Sequence, residues 1–336
     1  MEAMNFAISR PMNAFCQKLA GSLWLASLFW AGWAQAQVIT TFGSGTNQFQ
    51  IEFVTIGNPG NAADTTGSPN PVGSVGYVYH IGKYEISRDM ISKFNASQSL
   101  QLTMADLSSS GGNGVNRPAT GVSWNEAARF VNWLNTSQGY QAAYNFTTGG
   151  FNDNITLWGA GQYSGSNQFR HKDAVYVLPS IDEWYKAAYG SPTGTWYNYP
   201  TGSDTAPTKT SGGLLANTAV YGLASTFSPA DVNNAGGLSA YGTMGQAGNA
   251  WEWMEGAFDG SNNSATEDRE RRGGDSTSFT TSTMLLASDR RQRPPGDELS
   301  SMGFRIASVP EPSSASLVIL GLAAVLARSR RCRGQV

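Results

Sequence analysis

Apolar and polar positions along the chain follow three different patterns. Phe49 to Ile56 (FQIEFVTI) is a strand-like apolar run that predicts an opening strand. The Gly, Asn, Pro and Thr residues of the following GNPGNAADTTGSPNPVGSVG predict a long surface loop. In YVYHIGKYEIS, Tyr77, Tyr79 and Ile81 share one side and Val78 and His80 the other, so a strand is expected up to Gly82, with a helix beginning near Ser87. Helical spacing then takes over twice. In GVSWNEAARFVNWLN, Ser123 and Glu126 form an S-x-x-E capping box, and Trp124, Ala127, Ala128, Val131 and Leu134 make an apolar stripe. LPSIDEWYKAAYG repeats the device with Ser180 and Glu183, turns Trp184, Ala187 and Ala188 inward, and has Gly190 as its stop signal. Beyond Gly190 periodicity fades for more than a hundred residues. Loops rich in Gly, Ser, Thr and Asn carry Trp196, Tyr197, Tyr199, Tyr221 and Tyr241, which predicts irregular structure held by aromatic rings.

The two ends have another character. Residues 1–36 begin with Arg10 and Lys18, run apolar from Leu19 to Trp33, and close on Ala34-Gln35-Ala36, a small-x-small pattern that predicts a secretory signal cut before Gln37. Gly21, Ser22, Ser27 and Gly32 interrupt the run, which argues against the alternative of an N-terminal membrane anchor. At the other end, Val309-Pro310-Glu311-Pro312-Ser313-Ser314 precedes an apolar stretch from Ala315 to Ala327 and a cluster of Arg328, Arg330, Arg331 and Arg333. By itself this is a short span with a positive-inside stop. The order of its three parts resembles the PEP-CTERM sorting signal of Gram-negative bacteria. That resemblance implies signal peptidase and exosortase as processing partners, transient membrane association through the tail, and a mature protein released from the cell or held at its surface.

Composition changes the picture at three points. Only 14 % of the 336 residues are charged, which excludes a charge-rich disordered chain, a coiled coil and a nucleic-acid binder that works through basic patches. The leader carries one acid and two bases and the tail one acid and four bases, so without them the net charge moves from −2 to −6. The two cysteines are Cys16 and Cys332, so the body between leader and tail has neither a disulfide nor a thiolate. With two histidines, His80 and His171, Cys/His zinc sites and histidine facial triads lack ligands.

Six motifs stand in one order: GKYEIS at 82–87, RPATGVSWNEAARFVNWLN at 117–135, YVLPSIDEWYKAAYG at 176–190, GNAWEW at 248–253, RRGGDS at 271–276 and GFRIAS at 303–308. The series resembles the formylglycine-generating enzyme family, the sulfatase-modifying factors, over roughly residues 75–308. The resemblance implies an irregular α+β fold with little regular secondary structure, related to C-type lectins. The expected organisation is a signal peptide at 1–36, an N-terminal strand and loop at 37–75, the family domain at 76–308 and the sorting tail with a short transmembrane segment at 309–336.

The family's enzymes oxidise a cysteine of a client sulfatase to formylglycine with molecular oxygen, using two active-site cysteines that bind copper. Counting from Arg272, the first of these positions falls on Ser278 and the second near Thr283. Hydroxyls do not replace soft thiolates at copper, so no catalytic residue and no copper are expected here. The family also carries structural calcium. GNAWEW maps onto one such site, with the carbonyls of Gly248 and Ala250 and the carboxylate of Glu252, although the Asp or Asn expected three residues before Gly248 is Gly245. Asn217 and Thr218 match the start of a second. The alternative for Glu252 is a carboxylate tied to a backbone turn or an arginine without metal.

Other chemistry has little support. Neither histidine lies near a G-x-S-x-G element. Of the paired carboxylates, Asp182-Glu183 is explained by helix capping, and Asp297-Glu298 is not tied to a motif. EDRERR at 267–272 is expected to be a solvated turn or a set of surface ion pairs, and DRRQR at 289–293 a rim for anions. Relatives of this fold use the face around the cysteine positions for binding. The expected function is therefore a noncatalytic ligand-binding or surface-matrix module for a glycan or protein, with contacts from Asp275, Ser278, Arg290, Arg291 and Arg305; the alternative is an atypical formylglycine-generating oxidase. Whether the aromatic residues are binding surface or core stays open at this level.

Overall fold

The computed structural model describes residues 37–309, so the expected leader and all but the first residue of the sorting tail lie outside the described residues. No helix among the described residues is long and apolar enough to cross a membrane.

Strands β1 (Gln37–Phe42) and β2 (Phe49–Ile56) form an antiparallel hairpin. β2 continues onto β3 (Tyr79–Gly82), pairing Val54 with Ile81. The sheet is completed from far along the chain, by β4 (Tyr176–Val177) and the last strand, β11 (Ala307–Ser308), in the order β1-β2-β3-β11-β4. Helix α1 (Arg88–Ser97) follows β3 and is capped by Ser87, whose hydroxyl accepts from the Met90 amide. The loop between β2 and β3 is not wholly at the surface. Val72 and Asp64 are buried in it, and it closes over the third helix, where Tyr185 donates to Asp64 at 2.6 Å and Asp182 accepts from the Gly73 amide at 2.6 Å.

Helices α2 (Trp124–Ser137) and α3 (Ile181–Tyr189) both carry the capping boxes that their sequences predict. In α2, Ser123 Oγ accepts from the Glu126 amide at 3.1 Å while Glu126 accepts from the Ser123 amide at 2.8 Å, so two of the free amides of the first turn are satisfied by side chains. The stripe residues Trp124, Ala127, Ala128, Val131 and Leu134 are fully buried. Phe130 also turns inward, within about 6 Å of Phe49, Phe94 and Phe304. α3 buries Trp184, Ala187 and Ala188. Its stop differs in mechanism from a left-handed glycine cap. Gly190 has φ −83°, and a Cβ there would stand 2.6 Å from the Lys186 carbonyl, so the glycine is required by close approach.

The region beyond Gly190 contains more order than its sequence pattern suggests. β5 (Thr208–Lys209) and β6 (Thr218–Ala219) form a short parallel pair. β7 (Trp251–Ala257), β8 (Arg269–Arg272), β9 (Arg291–Arg293) and β10 (Met302–Gly303) form a second sheet in the order β10-β7-β8-β9. All seven residues of β7 are buried. The result is the expected α+β fold with few helices and short, curled sheets.

Strand β8 overturns the reading of EDRERR as a solvated turn. Arg269, Glu270 and Arg272 are at most 1 % exposed. Such burial is tolerated because each charge finds a partner or a ring. The Arg269 guanidinium lies 3.8 Å from the Phe169 ring centre and 4.4 Å from that of Trp124. Glu270 accepts from Arg272 Nε at 2.6 Å and from Arg290 Nε at 3.1 Å.

Candidate functional site

An open cleft of about 360 Å³ lies against the β7–β8–β9 sheet, and Trp251, Arg271, Asp275, Phe279, Met284 and Arg293 are among its walls. Its volume is in the range of small-ligand sites. Part of its wall is the segment that follows RRGGDS, through Asp275, Thr277, Phe279, Thr280 and Met284; Ser278 and Thr283 are neighbours of these residues and are not in the wall.

The segment is shaped by local hydrogen bonds. Asp275 Oδ1 accepts from the Thr277 amide at 2.9 Å, from the Thr277 hydroxyl at 2.7 Å and from the Thr280 hydroxyl at 2.8 Å, which winds residues 275–280 into a tight loop. Gly274 makes the approach feasible. It sits at φ +76°, and a Cβ there would meet Thr280 Cγ2 at 2.7 Å. Ser278 and Phe279 ride outward on the loop, Phe279 being 72 % exposed, and Thr283 is exposed on the next turn with its hydroxyl 2.7 Å from that of Thr281. These positions offer exposed hydroxyl oxygens and no thiolate, and such donors do not fit copper(I).

The basic residues around the cleft differ in what they already hold. On β9, Arg291 is paired with Asp289 at 2.9 Å, while Arg293 stands 3.8 Å from Asp297. Both are exposed at the rim. Arg290 is directed away, toward Glu270 and over the Phe258 ring at 4.0 Å, so the rim predicted for DRRQR is built from Arg291 and Arg293. Arg271, on β8, was not singled out in the sequence. Cross-strand register sets it opposite both Arg291 and Trp253. Its guanidinium lies 4.4 Å from the Trp251 ring centre, and Nη1 reaches Met302 Sδ at 3.6 Å. Its buried Nε has no hydrogen-bond partner, and among the described residues Arg271 forms no ion pair. Burial, reinforced by the charge of Arg293, pushes its pKa down to about 10, which leaves it protonated at neutral pH.

Arg305 is not at this cleft. It is fully buried and holds Glu252 with two parallel bonds, Nε to Oε2 and Nη2 to Oε1, both 2.6 Å. Its remaining donors reach the Gly82 carbonyl at 2.9 Å and the Met244 carbonyl at 2.8 Å. Trp184 Nε1 also donates to Glu252, at 2.7 Å. Glu85 stands beside them, accepting from the Ala250 amide at 3.1 Å and Asn249 Nδ2 at 2.6 Å. Burial first, and then the Glu252 charge, raise its pKa well above the ordinary value, partly offset by Arg305. Residues from GKYEIS, YVLPSIDEWYKAAYG, GNAWEW and GFRIAS therefore meet in one buried cluster. The spacing of the motifs in the chain reflects this convergence.

The same geometry bears on calcium. Both Glu252 oxygens accept from Arg305, and Oε2 also from Trp184, so Glu252 is held as the arginine-paired carboxylate rather than as a free calcium ligand. At the second, Asn217 Oδ1 accepts from the Thr201 hydroxyl at 2.7 Å and the Thr218 hydroxyl donates to the Leu215 carbonyl at 2.7 Å. No three His, Cys, Asp or Glu side chains converge as metal ligands among the described residues. With Glu252, Asn217 and Thr218 each engaged by a protein partner, chelation with EGTA is expected to leave the thermal unfolding midpoint unchanged. A fall in the midpoint that added calcium reverses would show that the ion is bound.

Comparison with known proteins agrees with the motif order. The model of the sulfatase-modifying factor enzyme 1-like domain matches residues 48–309. No curated protein sequence matches significantly. Among solved structures, Treponema denticola variable protein 1 superposes with a TM-score of 0.55 at 21 % identity, covering 82 % of this chain and 100 % of its own. The crystal structure of CarF superposes with the same score at 19 % identity, covering 77 % of this chain and 98 % of its own. At these identities the structural likeness concerns the fold, while the family match spans most of the chain and includes β2 to β11 and all three α-helices of the described residues. The chain belongs to the sulfatase-modifying factor family.

Proposed function

We propose that this protein is an exported, noncatalytic member of its family that binds a ligand in the cleft beside β8 and β9. The observation that carries the reading is the pair Ser278 and Thr283. By the resemblance, Ser278 falls on one of the positions where the family's oxidases place cysteines and Thr283 falls near the other, and residues 37–309 contain no cysteine at all. Oxidation of a client cysteine by oxygen through copper requires thiolates, and an exposed serine or threonine hydroxyl, with a pKa far above 7, does not supply them. The cleft nevertheless remains, with an exposed aromatic ring and cationic walls. A glycan or a protein segment displayed outside the cell is the expected partner, with export through the leader and surface retention or release through the sorting tail.

The test is oxidation of a cysteine-containing sulfatase peptide by the purified full chain under oxygen and copper, followed by mass spectrometry. No formylglycine is the expected result. Formation of the aldehyde at a catalytic rate would overturn the reading and assign the chain to atypical oxidase chemistry.

A further inference from the structure

Arg271 is a conspicuous charge in this molecule because it has so little to answer it. The fully buried arginines are answered inside the protein, Arg305 by Glu252, Arg272 by Glu270, and Arg269, whose Nε and Nη1 also lack partners, by the Phe169 and Trp124 rings; Arg271 differs in being half-buried and lining the cleft. Arg271 has a sulfur, a ring face and a carbonyl-free, carboxylate-free surrounding within bonding distance, and its Nε is desolvated without a partner. Leaving a guanidinium donor unbonded in a protein wall is costly unless something outside the chain completes it. The guanidinium lies 4.4 Å from the Trp251 ring centre, and the half-buried side chain lines the cleft.

The surroundings indicate what would complete it. Arg291 and Arg293 stand at the same cleft and Asp275 is its one acidic wall residue, with Oδ1 committed to Thr277 and Thr280. Asp289 and Asp297 offset the two rim arginines, so attraction for an anion centres on Arg271. Phe279, Met284 and Leu299 supply an apolar wall next to the cationic one. A volume of about 360 Å³ suits a compact group, of the order of one ring with its substituents.

We infer that Arg271 anchors an organic oxyanion, a carboxylate or sulfate ester, whose apolar or ring-shaped body rests against Phe279 and Met284. This rests on the noncatalytic binding reading and narrows it to a ligand class. The guanidinium edge suits a two-oxygen acceptor, which planar carboxylate and tetrahedral sulfate both present. Arg291 and Arg293, each already close to an aspartate, strengthen the field and the rate of encounter more than the bound contact.

The experiment is titration of the full chain with phenyl sulfate, benzoate, inorganic sulfate and neutral phenol, followed by calorimetry and by tryptophan fluorescence. Phenyl sulfate or benzoate is expected to bind at least tenfold more tightly than phenol, and which of the two binds better identifies the oxyanion. Arg271→Gln is expected to weaken that binding roughly 10- to 100-fold, the loss of one charge-assisted contact. Arg271→Lys, which keeps the charge and loses the fork, should fall between. Circular dichroism on each variant separates a folding defect from a binding one, and because Arg271 has no internal ion pair its removal is expected to leave the fold intact. Equal binding by folded Arg271→Gln, or no preference of the wild type for the anions over phenol, would overturn the assignment. Such a failure with no aldehyde formed in the oxidation assay removes only the anion site. Aldehyde formation removes the noncatalytic reading whatever the probes do.

Discussion

Replacing Arg305 with alanine is expected to destabilise the protein by about 3–5 kcal/mol, the penalty for leaving a buried carboxylate without its partner. Arg305 and Glu252 are both wholly buried, and the two bonds between them are short and parallel. Glu85 adds a second acid to the same cluster, so removal of the one cation leaves two carboxyl groups facing each other in a water-poor interior. Against a typical total stability of about 5–15 kcal/mol, such a loss approaches global unfolding. Urea denaturation measures it directly. The double variant Arg305→Met, Glu252→Gln should recover part of the loss, because the stranded charge goes with its partner. If Arg305→Ala unfolded within about 1 kcal/mol of the wild type, the cluster could not be the junction described here.

Arg170→Met is expected to have an effect of the same order, with a pH signature of its own. Arg170 bridges two fully buried acids, reaching Glu255 Oε1 through Nε at 2.8 Å and Glu183 Oε2 through Nη2 at 3.0 Å. Burial would raise the Glu183 pKa, but Arg170, together with hydrogen bonds from Tyr77 and the Ser180 amide, holds it below its ordinary value. The folded pKa is thus depressed relative to the unfolded value of about 4.3, so this contribution is complete above that pH and is lost as pH falls through the folded pKa. Without Arg170 the opposing effect of burial dominates. The gap between wild type and variant should therefore be widest near neutral pH and shrink below about pH 4, which denaturation curves at a series of pH values would show. A gap that stayed constant across that range would mean that Glu183 is not held ionised by Arg170.

Local signals in the sequence carry the helices well and the sheets poorly. Ser123 with Glu126 and Ser180 with Glu183 act within four residues, so the chain encodes those helix starts without reference to distant partners. β4, β10 and β11 have two residues each, too few for any periodicity, and exist only because other strands lie beside them. Charge misled the reading of β8 for a related reason. Alternating acids and bases resemble a solvated turn, and nothing local discloses that Phe169 and Trp124 cover Arg269 or that Arg290 arrives at Glu270. The motif series drew attention to the segment after RRGGDS, part of which lines the cleft, and its likeness to the family implied replaced cysteines at Ser278 and near Thr283. Arg271 was not legible, because its significance is the lack of a counter-charge, and that depends on what the rest of the chain fails to bring near it.

The central place of β11 has a consequence for how the molecule is made. Ala307 pairs on one side with Ile81 and on the other with Val177, so a strand near the C-terminal end of the domain is flanked by segments synthesised long before it. During synthesis in the N-to-C direction, β3 and β4 must each wait with an unpaired edge until residue 308 emerges. Loop closures of this length are slow, and open sheet edges invite pairing with other chains. A chain truncated before Met302 would lose β10, Arg305 and β11 together. Completion of the fold is in this way tied to arrival of residues 302–308, so that a prematurely terminated product is marked as incomplete by its own exposed edges.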